Sequence, residues 1–363
     1  MSKTSSFLGL RALRDLVSDS MAIDMGSANT IVAVRGRGVV VDEPSVVAVS
    51  KDSGEVIAVG NEARKMLGRE ARDVLVIAPL VDGVVADFER TRAMLDHFVK
   101  EARSGVSQFS RRAIMSVLSG VTQVEQRALL AAAEEAHIGR VYMVEEGLAA
   151  AIGAGVPIDD SHASAVVDIG GGTTNVAAIV SGAIIAARAE RIGSSDIDTA
   201  IIDRLRRHSG LTIGVTTAER LKLELSSATE PDDPHRMINV RGRDVQTGSP
   251  GAVDVTAGEV HAVTLPIIRR IAEEVKETLS ELAPEVAGDI YDRGVILTGG
   301  GALLEGMDQY LQKELELAVR VADDPRFAIV RGLSQMFDEP LLLRRVARTE
   351  PHPLIDAEAT AFE

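Results

Sequence analysis

The chain has 363 residues and no cysteine, so there is length for two domains with a large core, and disulfides and thiolate metal sites are excluded. At 45% hydrophobic residues it is no disordered chain, and a net charge of −15 argues against a dedicated nucleic-acid binder, which needs a basic face. Aromatics are 3% and Trp is absent, so base-stacking platforms are not expected and Ala, Val, Ile and Leu must fill the core. The lack of cysteine suits a cytoplasmic protein. No apolar run reaches the roughly 18 residues of a membrane span. Arg11, Arg14 and Asp15 interrupt any signal-peptide core near the N-terminus.

In chain order, Phe7, Leu10, Leu13 and Val17 recur at helical spacing, with Leu8 and Leu16 beside them and Arg11, Arg14 and Asp15 opposite. Such a helix either lies in a membrane interface or packs on the body. Strands are expected at 21–26, 29–35, 38–41 and 45–49, a short helix between Gly60 and Gly68, and a longer one from Arg90 to Ala102. Phe109, beside Arg111 and Arg112, is either a second membrane-touching point or a buried loop aromatic. Thr122 and Glu125 form a capping box for a helix to His137 that Gly139 ends. A strand at 141–146 closes on Glu145 and Glu146, and a small-residue helix, 148–155, follows. Strand ends are where α/β proteins bind ligands. One of the two glutamates, facing a cleft, would polarise water as a general base; otherwise they mark a solvated strand end.

The second half opens with Val166–Ile179, an apolar strand running into Asp168, three glycines and two threonines. Glycines let backbone N–H groups approach an anion, and an acidic residue at the mouth suits a divalent metal. Alone, the cluster reads equally as a tight hairpin. Met21–Val34 repeats its layout: Asp-x-Gly-x-x-x-Thr-x-Val-Ala occurs at Asp24 and again at Asp168. Two related halves, each offering a phosphate-gripping hairpin to one cleft, follow from that repeat. A further capping box at Thr216–Glu219 starts a helix from Ala218 to Ser226, with Glu219 and Lys222 on one face as a surface ion pair or a grip on ribose and base. Residues 229–256 read as a peripheral β unit. Residues 258–282 give the longest helical pattern, with Pro266 as a kink or break. A strand at 294–298 then runs into a third glycine turn, Gly299–Gly301, suited to a flat base or ribose. From Arg344 onward the pattern frays.

Ala22–Thr30, Asp42–Val46, Pro79–Phe88, Gly120–Glu125, Asp168–Thr174 and Leu297–Leu304 together resemble the MreB family of bacterial actins, within the actin, Hsp70 and sugar-kinase superfamily. The resemblance covers about residues 20–335. It implies an actin-like α/β fold, two related lobes with four subdomains around a nucleotide cleft. The parts would be an amphipathic helix (1–18), domain I (19–157, small subdomain 37–77), domain II (158–333, subdomain about 191–256), a return helix (334–347) and a tail (348–363). It implies an ATP-dependent homopolymer of paired protofilaments along the inner face of the cytoplasmic membrane, working with cell-shape and cell-wall synthesis proteins.

By motif, Gly26, Ser27, Ala28 and Asn29 would line the first phosphate loop, and Gly170, Gly171, Gly172, Thr173 and Thr174 would hold the β- and γ-phosphates. Asp24 and Asp168 would organise Mg²⁺, through water. Glu146 would position or activate the attacking water, helped by Thr173. Glu219, Lys222, Gly299, Gly300 and Gly301 would hold the nucleoside. Phe7, Leu8, Leu10, Leu13 and Phe109 would meet the membrane. The sequence departs from the family at Gly147, where Pro is usual, at Asn175, where an acid is usual, at Ser116–Ser119, where Val-Pro is frequent, and beyond Arg331. These departures bear on hydrolysis rate, and on whether the role is rod shape or a specialised one such as organelle positioning or plasmid segregation. An Hsp70-like chaperone would need a substrate domain after the lobes, and a sugar kinase an Asp base for which the first half offers no clear candidate.

Overall fold

A computed structural model describes residues 20–103 and 112–347. Phe7, Leu8, Leu10, Leu13 and Phe109 lie outside the described residues.

The first half holds strands β1 (Ser20–Met25), β2 (Asn29–Val34), β3 (Gly38–Pro44), β4 (Val47–Ser50), β5 (Val56–Val59), β6 (Val74–Ile77), β7 (Leu80–Val81), β8 (Val84–Val85), β9 (Arg112–Val117) and β10 (Arg140–Glu145). The second half holds β11 (Ser164–Ile169), β12 (Thr174–Val180), β13 (Ala183–Glu190), β14 (Leu211–Thr212), β15 (Met237–Asp244), β16 (Pro250–Thr256), β17 (Val295–Thr298) and β18 (Val319–Val321). Two five-stranded sheets carry the fold, ordered β10-β9-β1-β2-β3 and β13-β12-β11-β17-β18. Each is an antiparallel three-strand meander whose first strand also pairs in parallel with a later strand, which pairs in parallel with another. The two sheets thus share one topology, the structural counterpart of the sequence repeat.

The central strands β1 and β11 are buried along their whole length, with apolar residues filling both faces except at Ser20, Asp24, Ser164 and Asp168. On one face of the first sheet, Met94, Leu95 and Phe98 of the helix Phe88–Ala102 pack on Met21, Ile23 and Met115. On one face of the second, Ile268, Ile271 and Val275 of the helix Ala257–Ser280 pack on Val167, Ile169 and Leu297. Fully burying one such side chain contributes about 1.5–3 kcal/mol. The remaining faces share a single core. Ala22, Ile114 and Val144 of the first sheet and Val166, Ala177 and Ile296 of the second close on the helices Glu146–Gly153 and Ala328–Gln335. Those helices touch through glycine: a Cβ on Gly153 would stand 1.8 Å from the Ala328 carbonyl oxygen, so no larger residue fits the crossing. The lobes are therefore joined by a packed helix pair.

Each lobe carries a smaller unit: β5-β4-β6 with the helix Gly60–Met66, and β14-β15-β16 with the helices Ser194–His208 and Val215–Leu225. A short helix, Pro340–Val346, follows the second lobe, and its Arg345 pairs with Asp159. Among the described residues no helix is long and apolar enough to cross a membrane.

Local expectations are corrected in four places. The helix after Thr122 does carry its capping box but ends at Glu135, and the left-handed residue beyond it is His137 rather than Gly139. The box expected at Thr216 does not form: the helix starts at Val215 behind Gly214, with no side-chain cap. Pro266 sits inside one continuous helix of 24 residues and does not end it. Glu146 is the first residue of a helix rather than the last of a strand.

Candidate functional site

Both repeats of Asp-x-Gly lead from the first strand of a sheet into a turn, so topology brings the two turns face to face. A Cβ on Gly171 would stand 2.5 Å from the Ala28 Cβ, so the turns meet where only glycine fits. Between the lobes lies a cavity of about 510 Å³, within the range of nucleotide-sized ligand sites. Gly26, Ser27, Ala28 and Asn29 line it from the first lobe. Gly170, Gly171, Gly172, Thr173, Glu219, Lys222, Gly299, Gly300 and Gly301 line it from the second. Asp24, Asp168 and Glu146 line its floor.

Thr174 is the exception. It is 1% exposed and its hydroxyl donates to the Ile192 carbonyl (2.8 Å), so it anchors the strand instead of facing the cavity. In the equivalent place, Thr30 is fully buried and its hydroxyl meets that of Ser45 at 2.9 Å.

The two aspartates are held alike. Ser116, next after the register partner of Ile23 on β9, donates its hydroxyl to Asp24 Oδ1 at 2.8 Å. Thr298, the register partner of Asp168 on β17, donates to Asp168 Oδ1 at 2.8 Å. Each bond fixes one oxygen of a buried carboxylate. Burial pushes Asp24 from the ordinary 3.8 to about 7, with the Ser116 hydroxyl opposing and the charge of Asp168 adding. Burial likewise pushes Asp168 to about 6 against the Thr298 hydroxyl.

Glu146 is the glutamate that faces the cavity, while Glu145 turns aside to accept from the Ser119 hydroxyl at 2.8 Å. Burial first, then the charges of Asp24 and Asp168, raise Glu146 well above the usual carboxylate range. Opposing them, Asn175 Nδ2 donates to Glu146 Oε2 at 2.7 Å. Asn175 stands opposite Asp168 in the β11–β12 register, and its buried Oδ1 has no partner among the described residues. Gly147 leaves no slack behind Glu146: a Cβ there would come within 2.5 Å of the Ala177 Cβ.

Further residues support the two turns. Ser45 donates through its hydroxyl to the Gly26 carbonyl (2.6 Å) and through its backbone to the Ala28 carbonyl (2.9 Å). Asp42 accepts from Asn29 Nδ2 at 2.8 Å. The Asp42–Val46 motif is thus the brace of the first turn. Gly83 N–H donates to Ser27 Oγ at 2.7 Å, so the hairpin of β7 and β8 supports the same turn. In the second lobe, backbone N–H groups of Ser194 and Ser195 at a helix start take the carbonyls of Gly170 (3.0 Å) and Gly171 (2.8 Å). Lys222 donates to Asp198 Oδ2 (2.7 Å) and the Ser194 carbonyl (3.0 Å), and Glu219 pairs across the cleft with Arg64. The motifs Asp42–Val46 and Pro79–Phe88 carry the sequence signal for the first-lobe braces, and Ser116, a small polar residue inside the apolar run Ala113–Val117, carries it for the partner of Asp24.

The arrangement offers backbone donors for phosphates, acids for a hard cation and a buried carboxylate with an amide beside it. The chain shares this layout with known proteins. A family model described as "MreB/Mbl protein" matches residues 18–344. The cell shape-determining protein MreB of Escherichia coli (strain K12) is 42% identical over 328 residues, 89% of this chain and 94% of that protein. The cell shape-determining protein Mbl of Bacillus subtilis (strain 168) is 42% identical over 318 residues, 88% and 95% of the two chains. The crystal structure of MreB5 of Spiroplasma citri bound to ADP superposes with a TM-score of 0.84 at 32% identity, covering 90% of this chain and 98% of that one. With its duplicated lobes and actin-like fold, this chain belongs to the MreB/Mbl family of bacterial actins.

Proposed function

We propose that the chain binds and hydrolyses ATP between its two lobes and assembles with itself into filaments that act in cell shape. The observation that carries this reading is the pair of facing glycine turns with Glu146 and Asn175 between them. Kinship supports it: the MreB and Mbl relatives are named as cell shape-determining, and the similar MreB5 was solved with ADP.

In this reading, backbone N–H groups of Gly26–Asn29 and Gly170–Thr173 grip the phosphates, and Gly299–Gly301 with Glu219 and Lys222 receive the nucleoside. Glu219 would exchange Arg64 for a ribose hydroxyl. Among the described residues no group of three or more His, Cys, Asp or Glu side chains is arranged to hold a metal by itself. That suits Mg²⁺, which keeps waters and takes one or two carboxylates beside phosphate oxygens. Asp24 and Asp168 are the oxygen donors that fit it, each with one oxygen already fixed by a hydroxyl. Bound there, the ion would supply charge neutralisation at the β- and γ-phosphates. Glu146 accepts a proton from the attacking water or orients it, and Asn175 fixes the carboxylate and offers Oδ1 as a second acceptor. Catalysis is then mainly positioning and electrostatics. Contact with the inner face of the cytoplasmic membrane is assigned to the N-terminal segment with Phe7, Leu8, Leu10 and Leu13.

Sedimentation with Mg²⁺-ATP, with and without anionic liposomes, tests the reading. Pelleting that depends on nucleotide supports it. A protein that stays in the supernatant at high concentration under both conditions contradicts filament assembly. Loss of liposome co-flotation in a variant lacking residues 1–17 supports the membrane assignment, and undiminished co-flotation contradicts it.

A further inference from the structure

Among the described residues, two of the ion pairs that span the lobes have members lining the cavity. Arg64 with Glu219 joins the outer units, and it uses a glutamate that the nucleoside would claim. The second joins Asp42 on β3 of the first lobe to Arg326, just past β18 of the second. Arg326 Nη2 donates to both carboxylate oxygens, at 2.9 and 3.1 Å, and its guanidinium lies 5.4 Å from the Phe327 ring centroid. Arg326 lines the cavity and Asp42 stands behind the first turn, and the phosphate and metal contacts proposed above use neither side chain.

The two ends of the pair reach opposite ends of the site. On the first lobe, Asp42 Oδ1 also accepts from Asn29 Nδ2 at 2.8 Å, so the same carboxylate holds the first phosphate turn. On the second lobe, the Gly299 N–H donates to the carbonyl of Pro325, next to Arg326, at 2.9 Å. A Cβ on Gly300 would lie 3.8 Å from Arg326 Cγ. A continuous run of contacts therefore passes from Asn29 through Asp42 and Arg326 to the third glycine turn. Each lobe could otherwise carry its share of the site away as the cleft opens.

We propose that the Asp42–Arg326 pair is an interlobe tie that couples the phosphate end of the site to its nucleoside end and sets how long nucleotide stays bound. It rests on the nucleotide-binding reading above. Both are positioning residues: they act through Asn29 and the Gly299–Gly301 turn. The pair is partly exposed, with side chains 29% and 42% accessible, so a moderate effect is expected.

Release of a fluorescent ADP analogue (mant-ADP with Mg²⁺), chased by excess ATP in stopped flow, tests the tie. Asp42→Asn keeps an acceptor for Asn29 and loses the charge; Arg326→Leu loses the cation. Each is expected to speed release roughly three- to fivefold. The double variant is expected to release no faster than the faster single, because the two side chains act as one unit. Arg326→Lys is expected to return release to within about twofold of wild type. Unchanged release in both singles, or effects that multiply in the double, overturns the tie while leaving nucleotide binding in place. Failure of the wild-type chain to bind mant-ADP at all overturns the nucleotide reading, and the tie with it.

Discussion

The two lobes present the same frame of a buried aspartate, a glycine and a buried threonine, and differ in what surrounds it. Asp24 and Asp168 begin equivalent turns, each with a hydroxyl donor on the neighbouring parallel strand at 2.8 Å. Thr30 and Thr174 follow at the same spacing, both buried as anchors. The difference lies across the hairpin. Opposite Asp24 stands Ile31, and opposite Asp168 stands Asn175, which reaches Glu146. The first lobe therefore closes its hairpin with an aliphatic side chain and braces the turn from behind with Asp42 and Ser45. The second puts a polar side chain there and aims it at the buried carboxylate. In the proposed reading, the two lobes share what would position phosphate and differ where water would be handled.

The largest effect expected from this division is at Glu146. Glu146→Gln keeps the shape and the Asn175 neighbour while removing the proton acceptor. Phosphate release should fall by about a hundredfold or more, with nucleotide affinity nearly unchanged. Wild-type turnover would assign the role to another carboxylate. Next is Gly299→Ala. Gly299 has φ of +80°, and its Cβ would stand 2.3 Å from the Ile169 carbonyl oxygen. A loss of about 1–3 kcal/mol in stability is expected, read by denaturant unfolding. An unchanged midpoint would mean that the turn relaxes freely.

Asp24 and Asp168 make stability depend on pH. Their folded values of about 7 and 6 lie above the ordinary 3.8, so between about pH 4 and 7 the folded chain binds more protons than the unfolded one. Stability of the ligand-free protein should be full below that window and fall as pH rises through it. Urea midpoints should be lower at pH 7.5 than at pH 5.5, and the reverse order would contradict burial as the cause. Mg²⁺-nucleotide needs the ionised acids, so its affinity should strengthen over the same rise.

The smallest effect tests the symmetry itself. Ser116→Ala and Thr298→Val each remove one hydroxyl donor from a buried aspartate. Each should weaken Mg²⁺-nucleotide binding about fivefold, roughly 1 kcal/mol, and by similar amounts in isothermal titration. A large loss in one variant with none in the other would show that the two aspartates have different tasks.

Local patterns made much of this readable. The run of Asp, glycines and threonine specifies a strand and a turn within a dozen residues, and its recurrence signals two lobes. What stayed hidden was carried by contacts distant in sequence. Ser116 lies 92 positions from Asp24, and Thr298 lies 130 from Asp168. The pairing of Arg64 with Glu219 and of Arg326 with Asp42 depends on how the lobes sit across the cleft. Thr174 was misplaced because composition does not say which hydroxyl turns outward; strand alternation sends Thr174 to Ile192. Thr216 had the residues of a capping box, but Gly214 took the capping place two residues earlier than expected.

In the proposed reading, one nucleotide lies between the two turns and Glu146 acts on it. Single-turnover hydrolysis of Mg²⁺-ATP, with bound nucleotide measured in the same samples of wild type and Glu146→Gln, tests it most directly. Equal binding is expected in both, with phosphate formation on the wild-type timescale in the wild type alone. Equal phosphate formation in both, or no binding in either, would contradict it.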